Sequence, residues 1–314
     1  MTCVYIDGSA GTTGLRIYER LSPRNDISLI TLPEDKRRDV DARREKINSS
    51  DITFLCLPDD AAAEAVSLCE NSSTRIIDAS SAHRTNPGWS YGFPELSESH
   101  REAVMKSRRV SVPGCHASGF CAVVYPVVKA EILPADYPVV SHSITGYSGG
   151  GKNMISAYMD KTRNENLSSP GQYALGACHK HQPEMKAVCG LAATPVFNPI
   201  VADFYSGMVV SVPVYASYLN GIKNAKELHS FFCDYYKNEK LIKILPYCEK
   251  GTENGFLYAG ELSGRDDMRI LISGNGERIL MAAQFCNLGK GASGAAVQCM
   301  NLMLGIDETT GLVI

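Results

Sequence analysis

The sequence predicts an α/β protein built from two domains, and three observations carry that prediction. The chain has 314 residues, 44% of them hydrophobic, enough for about two cores of ordinary size. Up to about residue 114, short apolar runs alternate with helical stretches, the pattern of a parallel sheet. Beyond about residue 135, apolar and β-branched runs such as YPVVSHSI and GMVVSVPVYA read as strands of an antiparallel sheet. The net charge of −3 gives no electrostatic footing for nucleic acid or an anionic membrane. No apolar run is long enough to span a bilayer. The start, MTCVYIDGSAG, lacks a basic or leader-like segment, so a cytoplasmic location is expected. Eleven cysteines without a CxxC pair argue against a disulfide framework and a zinc ribbon. Most are expected to be small core hydrophobes.

The first element is CVYIDG, a short apolar run ending in glycine, as in a buried parallel strand. GSAGTTGLRIYERL follows, with Gly8, Gly11 and Gly14 three apart, then a helix whose apolar positions are Leu15, Ile17, Tyr18 and Leu21. Strand, glycine turn and helix together make a phosphate-binding start, because backbone can approach a pyrophosphate and the helix N-terminus faces its charge. This is the beginning of a Rossmann-like dinucleotide-binding domain. The spacing GxxGxxG is a variant of GxGxxG, and its place between strand and helix supplies the specificity. A second strand is expected at ISLITL, residues 27–32. It ends without the acidic residue that holds ribose hydroxyls, and Lys36-Arg37-Arg38 follow; this favours NADP, whose 2′-phosphate needs cations. The same residues also fit a solvated charge run. DITFLC and TRIID give further strands, an alanine-rich helix lies between them, and RRVSVPG adds another.

That last strand leads into SVPGCHASGF. Pro113 and Gly114 turn the chain, and a helical stretch starts at Cys115. A cysteine at a helix N-terminus has the dipole and N–H groups that favour a thiolate, so Cys115 is the candidate nucleophile. Cys121, six residues on, is what a structural cysteine looks like. A thiolate nucleophile beside NADP implies thioester chemistry and needs an acid/base partner. CHKHQPEM supplies His179 and His181. Pro183 disfavours helix at Gln182, so the segment around His181 is expected to be extended at the mouth of the next helix. One short Cys/His cluster with no second ligand group gives no metal site.

The segments GSAGTTGL, IIDASSAHR, YGFPEL, VPGC, SITGYSGGGK, HKHQPEM and NLGKGASGAAVQCMNLMLG together resemble the N-acetyl-γ-glutamyl-phosphate reductases (N-acetylglutamate-semialdehyde dehydrogenases) of the shorter type. They run in order from residue 8 to about 305. HKHQPEM and GKGASGAAVQ are the specific ones. The resemblance implies the architecture of aspartate-semialdehyde and glyceraldehyde-phosphate dehydrogenases. A nucleotide domain over residues 1–114 is completed by a C-terminal helix at about 288–314, and an α+β catalytic domain over 115–287 also serves oligomerisation, as a homo-oligomer (dimer or tetramer). GASGAAVQCMNLMLG should be that buried helix.

Carried over residue by residue, the resemblance makes Cys115 the nucleophile and one of His179 and His181 the acid/base group, with His181 favoured. The turn Gly8, Ser9, Ala10, Gly11, Thr12, Thr13 and Gly14, with Lys36, Arg37, Ser80, Gly291 and Gly294, would bind NADP. Arg84, or Lys152 in second place, would meet the acyl phosphate, with Ser148 beside it. The chain departs from long-type relatives at His116, where an aromatic residue is usual, and Cys178 lies outside the motif. The implied activity is NADPH-dependent reductive dephosphorylation of N-acetyl-γ-glutamyl phosphate, a step of arginine biosynthesis, performed by a phosphorylating aldehyde dehydrogenase. The alternatives are a related enzyme acting on aspartyl phosphate, or a silent NADP-binding sensor; intact Cys115 and paired histidines speak against the sensor.

Overall fold

The computed structural model describes residues 1–314, which divide into two compact units. The first comprises Met1–Gly114 and Ala292–Val313. Its elements run β1 (Thr2–Asp7), α1 (Thr12–Leu21), β2 (Ile27–Ile30), α2 (Val40–Ser49), β3 (Ile52–Leu55), α3 (Asp59–Ser67), β4 (Arg75–Asp78), β5 (Ser90–Tyr91), α4 (Glu98–Lys106) and β6 (Arg109–Ser111). The six strands lie in the order β2-β1-β3-β4-β6-β5, every pair parallel. Side-chain alternation sends Val4, Ile6, Phe54 and Ile77 into one core and Tyr5, Leu55 and Ile76 into another, so both faces are covered. The strand order reverses between β1 and β3, the topological switch point where such sheets bind ligands.

Two expectations for this unit need correction. Along α1 only Ile17 and Leu21 face the core; Leu15 and Tyr18 are exposed. Each stands one residue past a buried position, Leu15 after Gly14 and Tyr18 after Ile17, and so points about 100° away from the buried stripe. The second strand ends at Ile30 rather than 32, because Pro33 starts a single 3₁₀ turn over Glu34–Lys36. Lys36, Arg37 and Arg38 stay exposed just ahead of helix α2, whose N-terminus is capped by Asp39, which accepts the Ala42 N–H at 2.9 Å.

The second unit comprises Cys115–Gly291. It contains α5 (Cys115–Lys129), β7 (Val140–Gly146), α6 (Gly151–Met159), β8 (Gly171–Gln172), α7 (Gln182–Cys189), β9 (Val196–Ala202), β10 (Met208–Tyr215), α8 (Ala225–Tyr235), β11 (Ile242–Ile244), β12 (Met268–Gly274) and β13 (Arg278–Phe285). A π turn over Gly289–Ser293 then leads to α9 (Gly294–Met303). All ten residues of α9 are buried, and Ala295, Ala296, Val297 and Met300 join the core of the first unit.

The seven strands of the second unit lie in the order β11-β12-β13-β10-β7-β9-β8. The sheet is mixed rather than purely antiparallel. Strands β7 and β9 run parallel, as do β11 and β12; α6 and α7 lie in the long connection from β7 to β9, and a non-helical stretch over residues 245–267 joins β11 to β12, where a two-residue hairpin could not make a parallel pair. Helix α5 carries twelve buried residues of fifteen and lies on this sheet. A Cβ at Gly119 would stand 2.5 Å from Val210 Cγ2 and 2.7 Å from Phe285 Cε1, so only glycine permits the approach. Pro126 inside α5 removes the N–H that would reach the Ala122 carbonyl. The Tyr236 hydroxyl donates to that carbonyl instead, at 2.8 Å.

The cysteines also depart from expectation. All eleven are free, but only Cys121, Cys189, Cys286 and Cys299 are buried, and Cys178 and Cys233 are exposed. No helix is long and apolar enough to cross a membrane.

Candidate active site

In the first unit the β1–α1 turn sits at the switch point. Gly8 has φ +87°, and a Cβ there would lie 2.3 Å from the Cys56 carbonyl oxygen at the end of β3. A Cβ at Gly14 would lie 2.4 Å from the Gly8 carbonyl oxygen. The Gly11 N–H closes the turn onto that same carbonyl at 2.9 Å. Gly11 caps α1 without a side-chain bond, and the first turn holds no acidic residue, so main-chain N–H groups face the turn. Ser9, Ala10, Thr12 and Thr13 are half-buried around it. This cradle of main-chain donors, closed to side chains, fits a dinucleotide phosphate. Below it, Arg43 of α2 donates to Asp7 at 3.0 Å and to Glu64 at 2.5 Å. Burial pushes the Asp7 carboxyl up, while the Arg43 charge pulls it back.

Lys36 and Arg37 are exposed beyond β2, with Arg37 on Glu34 at 3.3 Å. Ser80 is buried, and its hydroxyl donates to Asp78 at 2.7 Å while its N–H donates to the other carboxylate oxygen at 2.9 Å. His83 Nδ1 lies 2.7 Å from the same Asp78 and its ring stacks on Trp89. Arg84 donates from Nε to the Val112 carbonyl at 3.0 Å and from Nη2 to the Ala79 carbonyl at 3.4 Å. It ties the ends of β4 and β6 together within the first unit.

In the second unit Cys115 is the first residue of α5 and is partly exposed. The π turn presses on it: a Cβ at Gly291 would stand 2.9 Å from Cys115 Cβ, 3.1 Å from Phe285 Cε2 and 3.2 Å from the Cys286 carbonyl oxygen. Gly291 thus has a packing reason to be glycine, namely room for the cysteine. Gly294 opens α9 and is buried. Asn287, just before the π turn, accepts the Gly207 N–H at 2.8 Å and donates to Ser148 Oγ at 3.0 Å, fixing the SGGG segment. Ser148 is buried and Lys152, in the first turn of α6, is exposed.

The two histidines of HKHQPEM come together with a third, His116. Ring centroids are 4.7 Å apart for His179 and His181, 5.4 Å for His116 and His179, and 5.5 Å for His116 and His181. Phe197 of β9 packs edge-on against His116 and His179. The segment is not extended. His181 is αR (φ −89°, ψ −13°) and caps α7, which begins at Gln182. Pro183 stands in the first turn, where a missing N–H costs nothing. Gly190, left-handed at φ +68°, closes the helix.

The local bonds separate the two histidines. The His181 N–H donates to His179 Nδ1 at 3.1 Å, so the neutral His179 ring carries its proton on Nε2 and acts as a donor there. The His179 N–H donates to Gln182 Oε1 at 2.6 Å, and Gln182 Nε2 donates to the Pro195 carbonyl at 3.0 Å. His181 is 5% exposed. His116 is bonded at both nitrogens: Nδ1 lies 2.7 Å from Ser143 Oγ and Nε2 lies 2.7 Å from the Tyr173 hydroxyl. Burial, with a smaller push from His179, drives its pKa down to about 3. Tyr173 is pushed up by burial and then by the nearby Cys115 charge, which puts its hydroxyl in the electrostatic reach of the Cys115 thiol. His142 is on the opposite, exposed face of β7. No group of three His, Cys, Asp or Glu side chains is arranged to hold a metal ion.

Comparison with known proteins gives the family and the fold. Residues 115–284 match the family model "Semialdehyde dehydrogenase, dimerisation domain", and residues 31–104 match "Semialdehyde dehydrogenase, NAD binding domain". N-acetyl-gamma-glutamyl-phosphate reductase of Brucella anthropi is 45% identical, over 96% of this chain and 98% of that protein. N-acetyl-gamma-glutamyl-phosphate reductase 2 of Nostoc sp. is 42% identical over 98% of each. The chain belongs to the N-acetyl-gamma-glutamyl-phosphate reductase family. Among solved structures, the aspartate semialdehyde dehydrogenase of Francisella tularensis has a TM-score of 0.72 at 14% identity, covering 97% of this chain and all of that one. The enzyme II of Vibrio cholerae, complexed with ASA, has a TM-score of 0.70 at 14% identity, covering 97% of this chain and 98% of that one. At that distance the likeness concerns the fold, and it places this reductase family in the semialdehyde-dehydrogenase architecture.

Proposed function

We propose that this chain reduces N-acetyl-γ-glutamyl phosphate to N-acetylglutamate semialdehyde with NADPH, through a thioester on Cys115, as a cytoplasmic step of arginine biosynthesis. The observation that carries the reading is Cys115 at the start of α5, in the same unit as the joined pair His179 and His181. His181 takes the thiol proton. The Cys115 thiolate attacks the acyl carbon, the C–O bond to phosphate breaks, and phosphate leaves with its electron pair. When bound, NADPH supplies the hydride that reduces the acyl carbon. The protonated His181 gives its proton to the tetrahedral oxyanion and recovers it as the C–S bond breaks and the thiolate is restored. His179 Nε2–H donates to substrate oxygen. The Cys115 N–H at the helix N-terminus stabilises the oxyanion, a donor worth roughly 3 kcal/mol.

Gly8, Gly11 and Gly14, with the N–H groups around them, would hold the cofactor pyrophosphate, and Lys36 and Arg37 would hold the 2′-phosphate. Lys152 meets the acyl phosphate. It is exposed and lies in the same unit as Cys115, whereas Arg84 is engaged on main-chain carbonyls. The chain also self-associates through the second unit, as a dimer or a dimer of dimers. The sheet face away from α5 exposes Ile144, Val196, Tyr215 and Leu280, which the strand register places on one side.

The test is phosphate-dependent reduction of NADP by N-acetylglutamate semialdehyde, with aspartate semialdehyde and NAD as controls. Equal or better turnover of aspartate semialdehyde overturns the substrate assignment. An NAD preference removes Lys36 and Arg37 from cofactor recognition.

A further inference from the structure

The stretch between β8 and α7, residues 173–181, carries both active-site histidines and has little regular structure. Its backbone is held in an unfavourable conformation. Ala174 (φ +52°) and Ala177 (φ +55°) are left-handed without being glycine, a state that persists only where the surroundings impose it. The turn between them closes through the Ala177 N–H on the Ala174 carbonyl at 2.9 Å. Its tip is uncovered, with Leu175 78% exposed. Something must hold the two ends.

One end is held by Gln182, which accepts the His179 N–H and donates to the Pro195 carbonyl. At the other end, the Tyr173 N–H reaches the Pro199 carbonyl on β9 at 3.1 Å. The Tyr173 hydroxyl then crosses to His116, which is itself pinned by Ser143 on the inner face of β7. His116 is the residue next to Cys115 on α5. A continuous chain of bonds therefore runs from the inner face of the sheet, through the neighbour of the nucleophile, to the first residue of the histidine loop.

Resting on the reductase reading of Cys115, His179 and His181, we propose that His116 is a positioning residue that clamps Tyr173 and so fixes the strained histidine loop relative to Cys115. Its ring touches neither substrate nor cofactor in this role. With both nitrogens occupied and the ring enclosed by His179, His181 and Phe197, it acts only through the loop. The clamp depends on the Nε2 side of the ring, since that nitrogen meets Tyr173, while Nδ1 merely orients the ring against Ser143.

This distinction supplies the experiment. The amide nitrogen of glutamine can stand where imidazole Nε2 stands, and that of asparagine where Nδ1 stands. His116→Asn and Tyr173→Phe should each speed amide hydrogen exchange in a peptide spanning residues 173–182 by about tenfold, the cost of one buried hydrogen bond. Exchange in the strands of the sheet should not change. The same two variants should lower kcat by about tenfold or more with KM within about twofold. His116→Gln should recover most of both losses. The double variant His116→Asn/Tyr173→Phe should be no worse than either single one, because the two remove the same bond.

Exchange in the loop left unchanged by His116→Asn and Tyr173→Phe overturns the clamp, as does glutamine behaving no better than asparagine. Because exchange is measured without substrate, a wild-type protein that fails to turn over N-acetylglutamate semialdehyde defeats the reductase reading alone and still leaves the clamp decided. If His116→Asn fails to fold, Tyr173→Phe decides, since Tyr173 is only half-buried and loses a single oxygen.

Discussion

Gly291→Ala tests how closely the π turn is fitted to the nucleophile. The added methyl would sit 2.9 Å from Cys115 Cβ, 3.1 Å from Phe285 Cε2 and 3.2 Å from the Cys286 carbonyl oxygen. Carbon atoms in contact prefer roughly 3.5–4.0 Å, so the Cys115 contact alone is short by about 0.6 Å or more. Neither partner can yield cheaply. Cys115 Cβ belongs to the first turn of a helix buried along most of its length, and Phe285 is fully buried on β13. Overpacking of this kind typically costs about 1–3 kcal/mol, which in a unit of this size lowers Tm by about 2–4 °C per kcal/mol. The chemical effect should be larger than the stability effect. Relief of the clash displaces the Cys115 side chain by several tenths of an ångström, and a misplacement of about 1 Å can cost about 10²-fold. The expected result is a fall in kcat of about 10- to 100-fold and a slower alkylation of Cys115 by iodoacetamide, with the NADPH dissociation constant little changed. A variant that alkylates at the wild-type rate but binds NADPH at least tenfold more weakly would refute the packing argument and return Gly291 to cofactor contact.

Three further outcomes follow from the site. Cys115→Ser should lower turnover by at least ~10³-fold while NADPH still binds, because the hydroxyl is scarcely ionised at neutral pH; activity within tenfold of wild type would remove Cys115 from the chemistry. His181→Asn should lose about 10²–10⁴-fold, chiefly in kcat, whereas His179→Asn should act mainly on KM; steady-state kinetics showing the reverse would exchange their roles. His116 is held down to about 3 against an ordinary 6.5, so the unfolded chain binds its proton more readily than the folded one. Its contribution to stability is full above about pH 6.5 and is lost as pH falls toward 3, at no more than about 1.4 kcal/mol per pH unit. Thermal melts between pH 7 and 5 should therefore show a shallower loss for His116→Phe than for wild type, and equal slopes would contradict a buried neutral imidazole.

The parts of the site legible in the sequence are those whose chemistry is local. A glycine turn between a strand and a helix is specified by residues within a few positions, and Gly8 does occupy the left-handed backbone such a turn requires. Cys115 after Pro-Gly needed only the prediction that a helix begins there, and α5 begins at that residue. Even so, a local rule misjudged the backbone near His181. The restriction before Pro183 argued for an extended chain, but a proline in the first turn surrenders no hydrogen bond, so α7 forms at once and His181 becomes its αR cap. The two histidines still meet, through the His181 N–H on His179.

What the sequence withheld is set by tertiary approach. Gly291 advertises that some neighbour comes close, but nothing within ten residues of it says that the neighbour is Cys115, far away in the chain. Asn287 reads as an ordinary loop residue until it is seen to join Gly207 to Ser148. His116 is the sharpest case. Beside a nucleophile, a histidine invites the role of base, and composition offers no reason to deny it. The structure denies it on two physical grounds, occupancy of both ring nitrogens and a buried position that resists protonation. A base must begin with an accepting nitrogen directed at the proton it removes and must bear charge afterwards. His116 is spent on Ser143 and Tyr173 and would bear that charge away from water, so the proposed proton transfer is assigned to His181, and the histidine nearest the proposed nucleophile in sequence is given the proposed role of holding the loop in place.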